Sequence, residues 1–128
     1  MQTETNTTKK NELKHYFLYQ NEEIFSFKNE PGFTTGARNN NLDEMLKGNY
    51  IWLIGGKDKP RRFYLLKRIF VKRIAFRVDL KKWRGTGDEI YKEIEITQEK
   101  WWKNYNNKTF FHEIKDENLI AGLLNKIE

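Results

Sequence analysis

The apolar residues between positions 61 and 80 change phase half-way along the segment, and this change restricts the folds open to the chain. Apolar side chains occupy odd positions in the first half and even positions in the second: Phe63, Leu65, Ile69 and Val71, then Ile74, Phe76 and Val78. Because successive side chains of a strand point to opposite faces, the apolar set changes face near Lys72 and Arg73. A bulge, corner or break is therefore predicted there, as in a strand that bends round a small barrel.

Other segments predict further strands around this one. Residues 13–20 (LKHYFLYQ) and 49–56 (NYIWLIGG) are apolar runs of strand length. Residues 89–96 alternate isoleucines with charged side chains, which is typical of a half-buried strand. Residues 81–88 (KKWRGTGD) contain two glycines, Gly85 and Gly87, and are predicted to form a loop.

Helices are predicted at three places. Residues 39–47 have helical apolar spacing, with Asn41 as the predicted N-cap and Gly48 as the stop. Thr97 begins a second short helix, and Asp116 caps a closing helix over residues 117–127. The order of elements predicts an α+β fold: a small mixed pseudobarrel of about five to six strands with short helices and a C-terminal helix.

The length of 128 residues fits one domain, predicted over residues 13–128. Residues 1–12 are polar and lack an apolar stretch, so they are expected to form a flexible arm rather than a signal peptide. The chain has no cysteine, which excludes disulfides and thiolate metal sites, and no run approaches the ~18 apolar residues of a membrane span. We expect a cytoplasmic protein with no membrane partner.

Positive charge is concentrated in one part of the chain. Residues 57–84 contain twelve Lys or Arg and two acids, a local charge of +10, whereas the whole chain carries +6. A confined basic region suits a polyanion, since each base set against a phosphate releases a counterion. The electrostatic contacts are predicted at Arg61, Arg62, Lys81, Lys82 and Arg84. The alternative is a solvated sheet face that keeps the protein soluble.

The residues that catalysis or metal binding would need are sparse. His15 and His112 lie far apart without a metal-ligand spacing. Asp79 and Lys81, followed by Glu93 and Glu95, have the residue types of a magnesium-dependent nuclease, but their spacing is loose and ordinary strand-face charges are the favoured explanation. No phosphate-cradling glycine loop is present. We expect a non-catalytic protein with no cofactor and no metal.

The most distinctive stretch runs from Phe33 to Trp52, as FTTGARNNNLDEMLKGNYIW. Its Gly36-Ala-Arg-Asn segment, the following short helix, Met45 and Gly48 resemble the EVE domain of the PUA-like superfamily, which is related to YTH domains. Asn49 stands where the EVE pattern has Asp. The resemblance implies a PUA-like pseudobarrel that holds a base, often a modified one, in a pocket lined by aromatic residues.

The candidate nucleic-acid contacts of this stretch are Phe33, Gly36, Arg38 and Asn39, of which the last two carry the chemistry. A guanidinium suits phosphate or a base edge, and an amide can pair with a base through a donor and an acceptor. The alternative role of Arg38 and Asn39 is to fix the loop and cap the helix.

Four tryptophans are candidates for contact with a base. Trp83, between Lys82 and Arg84, suits stacking on an unpaired base, or else folds back as a hydrophobic lid. Trp52 is either core or pocket, and the adjacent Trp101 and Trp102 point in different directions, so one packs inward and the other is free to line a cleft.

Taken together, these residues predict a binding domain for DNA or RNA that recognises a modified, flipped or single-stranded base. Two alternatives stay open. One is a protein-interaction or small-ligand module with an incidental basic face, and the other is the magnesium-dependent nuclease.

Overall fold

The computed structural model of the protein describes residues 13–20, 22–26, 30–36, 41–105 and 111–128. The predicted arm of residues 1–12 lies outside these ranges, as do Arg38 and Asn39.

Six strands form one sheet that curls into a half-barrel. The strands are β1 (His15–Gln20), β2 (Phe33–Thr35), β3 (Tyr50–Lys57), β4 (Arg62–Arg77), β5 (Lys82–Glu95) and β6 (Phe111–Glu113). Their spatial order is β2-β5-β4-β3-β1-β6, and β1 runs parallel to β3 while the other pairs are antiparallel. The predicted α+β pseudobarrel is confirmed.

Two α-helices and two 3-10 helices complete the described part of the fold. The α-helices are α1 (Leu42–Leu46) and α2 (Glu117–Ile127), and the 3-10 helices span Glu22–Ser26 and Lys100–Asn104. The Asp116 carboxylate accepts hydrogen bonds from the backbone amides of Asn118 (2.9 Å) and Leu119 (3.2 Å), which confirms the predicted N-cap. Asn41 precedes α1, but its side chain makes no capping hydrogen bond.

The two faces of the sheet bury separate apolar clusters. The α1 cluster contains Tyr16, Leu18, Phe33, Leu42, Leu46, Ile51, Leu53, Ile69 and Val71. The α2 cluster contains Phe17, Trp52, Ile54, Leu65, Ile96, Trp102, Ile114, Leu119, Leu123 and Ile127. Neighbouring residues of β1 and β3 alternate between the two clusters, so both faces of the central strands are covered.

The predicted phase change in β4 is a β-bulge. Val71 pairs with Gly87 and Arg73 pairs with Thr86, so Lys72 is an extra residue in β4. The bulge turns Ile74 towards the same cluster as Val71, although one position is even and the other odd. The prediction from the apolar pattern is confirmed.

A second bulge in β4 was not predicted. Relative to β3, Leu66 is the extra residue, since Leu53 pairs with Lys67 and Ile54 pairs with Leu65. Leu65 therefore packs in the α2 cluster, whereas Lys67 points to the opposite face and is buried there. The bulge places an ammonium group inside the half-barrel.

Residues 81–88 do not form the predicted loop. The turn between β4 and β5 consists of residues 78–81, and β5 begins at Lys82 and runs through both glycines. Gly85 lies beneath the ring of Phe33, and a Cβ at Gly87 would lie 1.7 Å from the carbonyl oxygen of Phe70. These glycines permit close approach of neighbouring groups rather than a turn.

His15 is buried beside Trp52, whose indole Nε1 donates a 2.9 Å hydrogen bond to its Nδ1. Burial, with the nearby Arg68 guanidinium as a smaller cause, holds the pKa of His15 below its usual value of 6.5. The unfolded chain therefore takes up this proton first as the pH falls, so the stabilisation present above about pH 6.5 is lost below it.

The melting temperature is accordingly expected to fall by a few degrees between pH 7.5 and pH 5.5. His15→Asn retains a hydrogen-bond acceptor but does not titrate, so its melting temperature should change less over this interval. Thermal unfolding of both proteins at several pH values measures the difference. An equal pH dependence in the two proteins would show that His15 is not the titrating group.

Candidate nucleic-acid interface

A cleft of about 680 Å³ opens between the end of β1 and the segment that contains β2. Residues 30–36 form one wall, Tyr19 and Gln20 with Ile24 form another, and the remaining lining comes from the β4–β5 hairpin through Leu80, Lys82 and Arg84. The volume lies in the range of ordinary ligand sites in proteins. Segments distant in sequence therefore meet at one concave surface.

Side-chain hydrogen bonds hold the wall formed by residues 30–36. The Gln20 amide donates to the carbonyl of Thr34 at 2.5 Å, which links β1 to the edge strand β2. Arg84 Nη2 donates to the carbonyl of Pro31 at 2.8 Å. Gly32 has a φ of +77°, and a Cβ there would lie 2.2 Å from the Gly85 carbonyl oxygen, so the close packing of this wall requires glycine.

The buried Lys67 holds the same wall from inside the half-barrel. Its Nζ donates to the Glu30 carbonyl at 2.8 Å and to Glu89 Oε1 at 3.0 Å. The other carboxylate oxygen of Glu89 accepts from the backbone amide of Gly32. The side chain of Lys67 is 2% exposed and that of Glu89 is 21% exposed. A largely buried ion pair thus fixes the position of the segment before β2.

Three bases lie in or beside the cleft. Lys82 and Arg84 line it, and Arg61 donates from Nη2 to the hydroxyl of Tyr19, a lining residue, at 3.2 Å. Within the described ranges, none of the three forms an ion pair with a carboxylate. The predicted Arg61, Lys82 and Arg84 therefore converge on one surface.

The other two predicted bases have different surroundings. Arg62 donates to Glu95 from Nε at 2.8 Å and from Nη2 at 2.5 Å. This hydrogen-bonded pairing raises the pKa of Arg62 above its usual range and lowers that of the Glu95 carboxyl. Lys81 is exposed in the β4–β5 turn. Arg62 is therefore already neutralised by a partner, whereas Lys81 lies next to the cleft residues in sequence.

Trp83 is placed on β5 rather than in a loop. It pairs with Thr35 of β2 and with Phe76 of β4, and its ring contacts Phe76 edge-on at a centroid distance of 5.7 Å. The side chain is partly buried against the α1 cluster and does not line the cleft. These contacts agree with the alternative that Trp83 folds back against the core as a hydrophobic lid.

The remaining predicted aromatic residues lie in the α2 cluster. Trp52 and Trp102 are buried there, and Trp101 is partly buried, with its ring stacked on Phe17 at 5.5 Å. None of these three tryptophans lines the cleft. The cleft itself contains Tyr19 and Phe33, of which Phe33 is buried against Gly85.

The stretch that resembles the EVE domain contributes part of the cleft wall. Phe33 and Gly36 line the cleft, whereas Arg38 and Asn39 lie outside the described residues.

The acids of the nuclease hypothesis are not brought together. Asp79 lies in the β4–β5 turn and is hydrogen-bonded to Arg77, while Glu93 and Glu95 lie at the far end of β5, roughly 40 Å along the strand. Across the described ranges, no group of three His, Cys, Asp or Glu side chains is arranged to hold a metal ion.

Several cleft residues escaped sequence reasoning. The sequence places Tyr19 and Gln20 in a predicted strand, and no motif marks these two residues, Ile24 or Leu80 as the lining of a cleft. The one available signal was that polar Gln20 ends an otherwise apolar strand. Strand ends approach loops and edges, where side-chain amides bind exposed backbone groups.

No protein-family model, curated protein or solved structure matches the chain. In addition, none of the described helices is both long and apolar enough to cross a membrane.

Proposed function

We propose that this protein is a non-catalytic nucleic-acid-binding domain and that the cleft is its nucleotide site. The observation that carries the proposal is the convergence of Arg61, Lys82 and Arg84 on one concave surface, within the segment that carries a charge of +10. Positive side chains around a cleft concentrate a polyanion there. The cytoplasmic location expected from the sequence is compatible with such a partner.

The chemistry of the walls suits a nucleotide. Lys82 and Arg84 line the cleft and supply donors for phosphate. Ile24, Leu80 and the Tyr19 ring supply apolar surface for the base or sugar. The resemblance of residues 36–52 to the EVE domain is part of this proposal and adds the expectation of a modified base.

A small-ligand or protein-interaction module is the second candidate. The apolar share of the cleft, from Ile24, Pro31 and Leu80, supports it. The two functions differ in their response to salt, because phosphate contacts release counterions and contacts with a neutral ligand do not.

Fluorescence anisotropy with labelled oligonucleotides tests the proposal. Single-stranded DNA, single-stranded RNA and duplex DNA, each with and without a methylated adenine or cytosine, are titrated between 50 and 300 mM salt. Three phosphate contacts predict a slope of log K against log salt of about −2 to −3. If the protein binds none of these probes at the lowest salt, the proposal is contradicted. Binding whose affinity does not depend on salt would favour a site for a neutral ligand.

A further inference from the structure

The turn of the β4–β5 hairpin exposes apolar side chains among bases. Val78 is 79% exposed, Phe76 48% and Leu80 45%. Arg73, Arg77, Lys81 and Lys82 surround them in sequence and are exposed as well. Large apolar side chains at the end of a projecting hairpin contribute little to the core, so their presence points to a ligand that offers both negative charge and apolar surface.

The hairpin extends beyond the strand that covers its base. The last β3–β4 pair is Tyr50 with Phe70, yet β4 continues to Arg77, about 20 Å further. Beyond Val71, β4 pairs with β5 alone in the described structure, and the four-residue turn is closed by hydrogen bonds from Leu80 N to Arg77 O and from Lys81 N to Val78 O, both 3.2 Å. On the other edge, β2 pairs with β5 as far as Thr35 with Trp83, so the two-stranded end of the hairpin consists of the Arg77–Lys82 pair and the turn that joins them.

We infer that residues 77–82, the hairpin end, enter a groove of double-stranded DNA and that Val78 and Leu80 wedge between base pairs. This inference rests on the proposed function and specifies its partner. β-Ribbons bind B-form DNA through either groove, and the minor groove is the one from which apolar side chains wedge between base steps. Apolar side chains inserted between base steps unstack and bend the duplex.

The cleft and the hairpin end form one continuous surface. Leu80 and Lys82 belong to the hairpin end and also line the cleft. DNA held by the hairpin end would thus place its strand beside the cleft, where Arg84 is available for a neighbouring phosphate. The hairpin end and the cleft then share one ligand.

An anionic membrane would also attract bases and apolar groups, but the composition of the turn disfavours it. Asp79 separates Val78 from Leu80, and its side chain is 60% exposed while paired with Arg77 at 2.7 Å. Insertion of Val78 and Leu80 among acyl chains would carry this carboxylate with them, at a high desolvation cost. A DNA groove is hydrated and leaves the ion pair in contact with water.

The test is the double variant Val78→Ser/Leu80→Ser, with Leu13→Ser/Tyr91→Ser as the matched control, since Leu13 and Tyr91 are exposed apolar residues elsewhere. The probe is a 20-base-pair duplex with a fluorescent donor and acceptor at its ends, so that energy transfer reports bending. We expect the hairpin variant to lose about ten-fold in affinity and most of the bending, with an unchanged salt slope. The control variant should bind and bend the duplex as the wild type does.

A second duplex with a central two-base mismatch separates wedging from simple contact. Its bases are already partly unstacked, so the hairpin variant should lose less than about three-fold in affinity for it. Equal affinity and bending for wild type and hairpin variant on the intact duplex would overturn the inference, while binding itself would leave the proposed function standing. Association of the wild type, but not the hairpin variant, with vesicles of three parts phosphatidylcholine and one part phosphatidylserine would overturn it in favour of a membrane.

Discussion

Replacing Glu89 by glutamine is expected to lower the free energy of unfolding by about 3 kcal/mol, because the buried Lys67 ammonium loses its counter-charge. The Lys67 side chain is 2% exposed, so water compensates little for the lost carboxylate charge. Glutamine keeps the shape of Glu89 and one acceptor oxygen, so the change removes charge rather than volume. Chemical denaturation of wild type and variant measures the loss.

Lys67→Met supplies the control, because it removes the charge and keeps an unbranched stem of similar length. Glu89 is 21% exposed and accepts from Gly32, so it tolerates the loss of its partner better, and we expect about 1 kcal/mol. The double variant Lys67→Met/Glu89→Gln should then be more stable than Glu89→Gln alone. A double variant that is less stable than either single variant would show that the ion pair is not the reason for the effect.

The same ion pair connects stability with the cleft. Lys67 and Glu89 bind Glu30 and Gly32, which begin the wall that contains β2. The Lys67→Met variant is expected to remain folded, because its expected loss of stability is only about 1 kcal/mol. The wall of the cleft nevertheless loses the hydrogen bond from Lys67 to the Glu30 carbonyl. Weakened ligand binding in this variant would follow from a displaced wall rather than from a lost contact, because Lys67 does not line the cleft.

The curled sheet could be predicted because alternation of apolar side chains records which face each residue occupies. The bulge at Lys72 follows from this alternation alone, and the cap and apolar stripe of α2 follow from local preferences. The bulge at Leu66 left a weaker trace. Lys67 falls in phase with Ile69 and Val71, and a lysine at an apolar position is easily taken for an exposed exception rather than a buried one.

The hairpin and the cleft were beyond sequence reasoning for two physical reasons. Gly85 and Gly87 resemble loop residues, but in the structure Phe33 and the Phe70 carbonyl occupy the space that a Cβ would need. Whether a glycine marks a turn or a close contact depends on the neighbouring strand. The cleft joins Gln20, Thr34 and Arg84, and their meeting depends on the curl of the whole sheet.

The position of the bases, more than their number, is expected to determine affinity. The triple variant Arg61→Gln/Lys82→Gln/Arg84→Gln removes the three bases at the cleft and should lower affinity for nucleic acid on the order of a hundred-fold at 0.1 M salt. Its slope of log K against log salt should become shallower by about two to three, one step for each lost phosphate contact. Anisotropy titrations over a salt series measure both quantities.

The matched control removes the same charge from bases that already have acidic partners. Lys57, Arg62 and Lys72 pair with Glu93, Glu95 and Asp88, and none of the three lines the cleft. Their triple replacement by glutamine should change affinity by less than about five-fold, because exposed ion pairs contribute little and their bases are partly neutralised. Equal losses in the two triple variants would mean that net charge alone attracts the ligand. In that case the cleft would not be the binding site. At a true binding site, removing the three charges that contact the ligand weakens binding more than removing three charges elsewhere on the protein does.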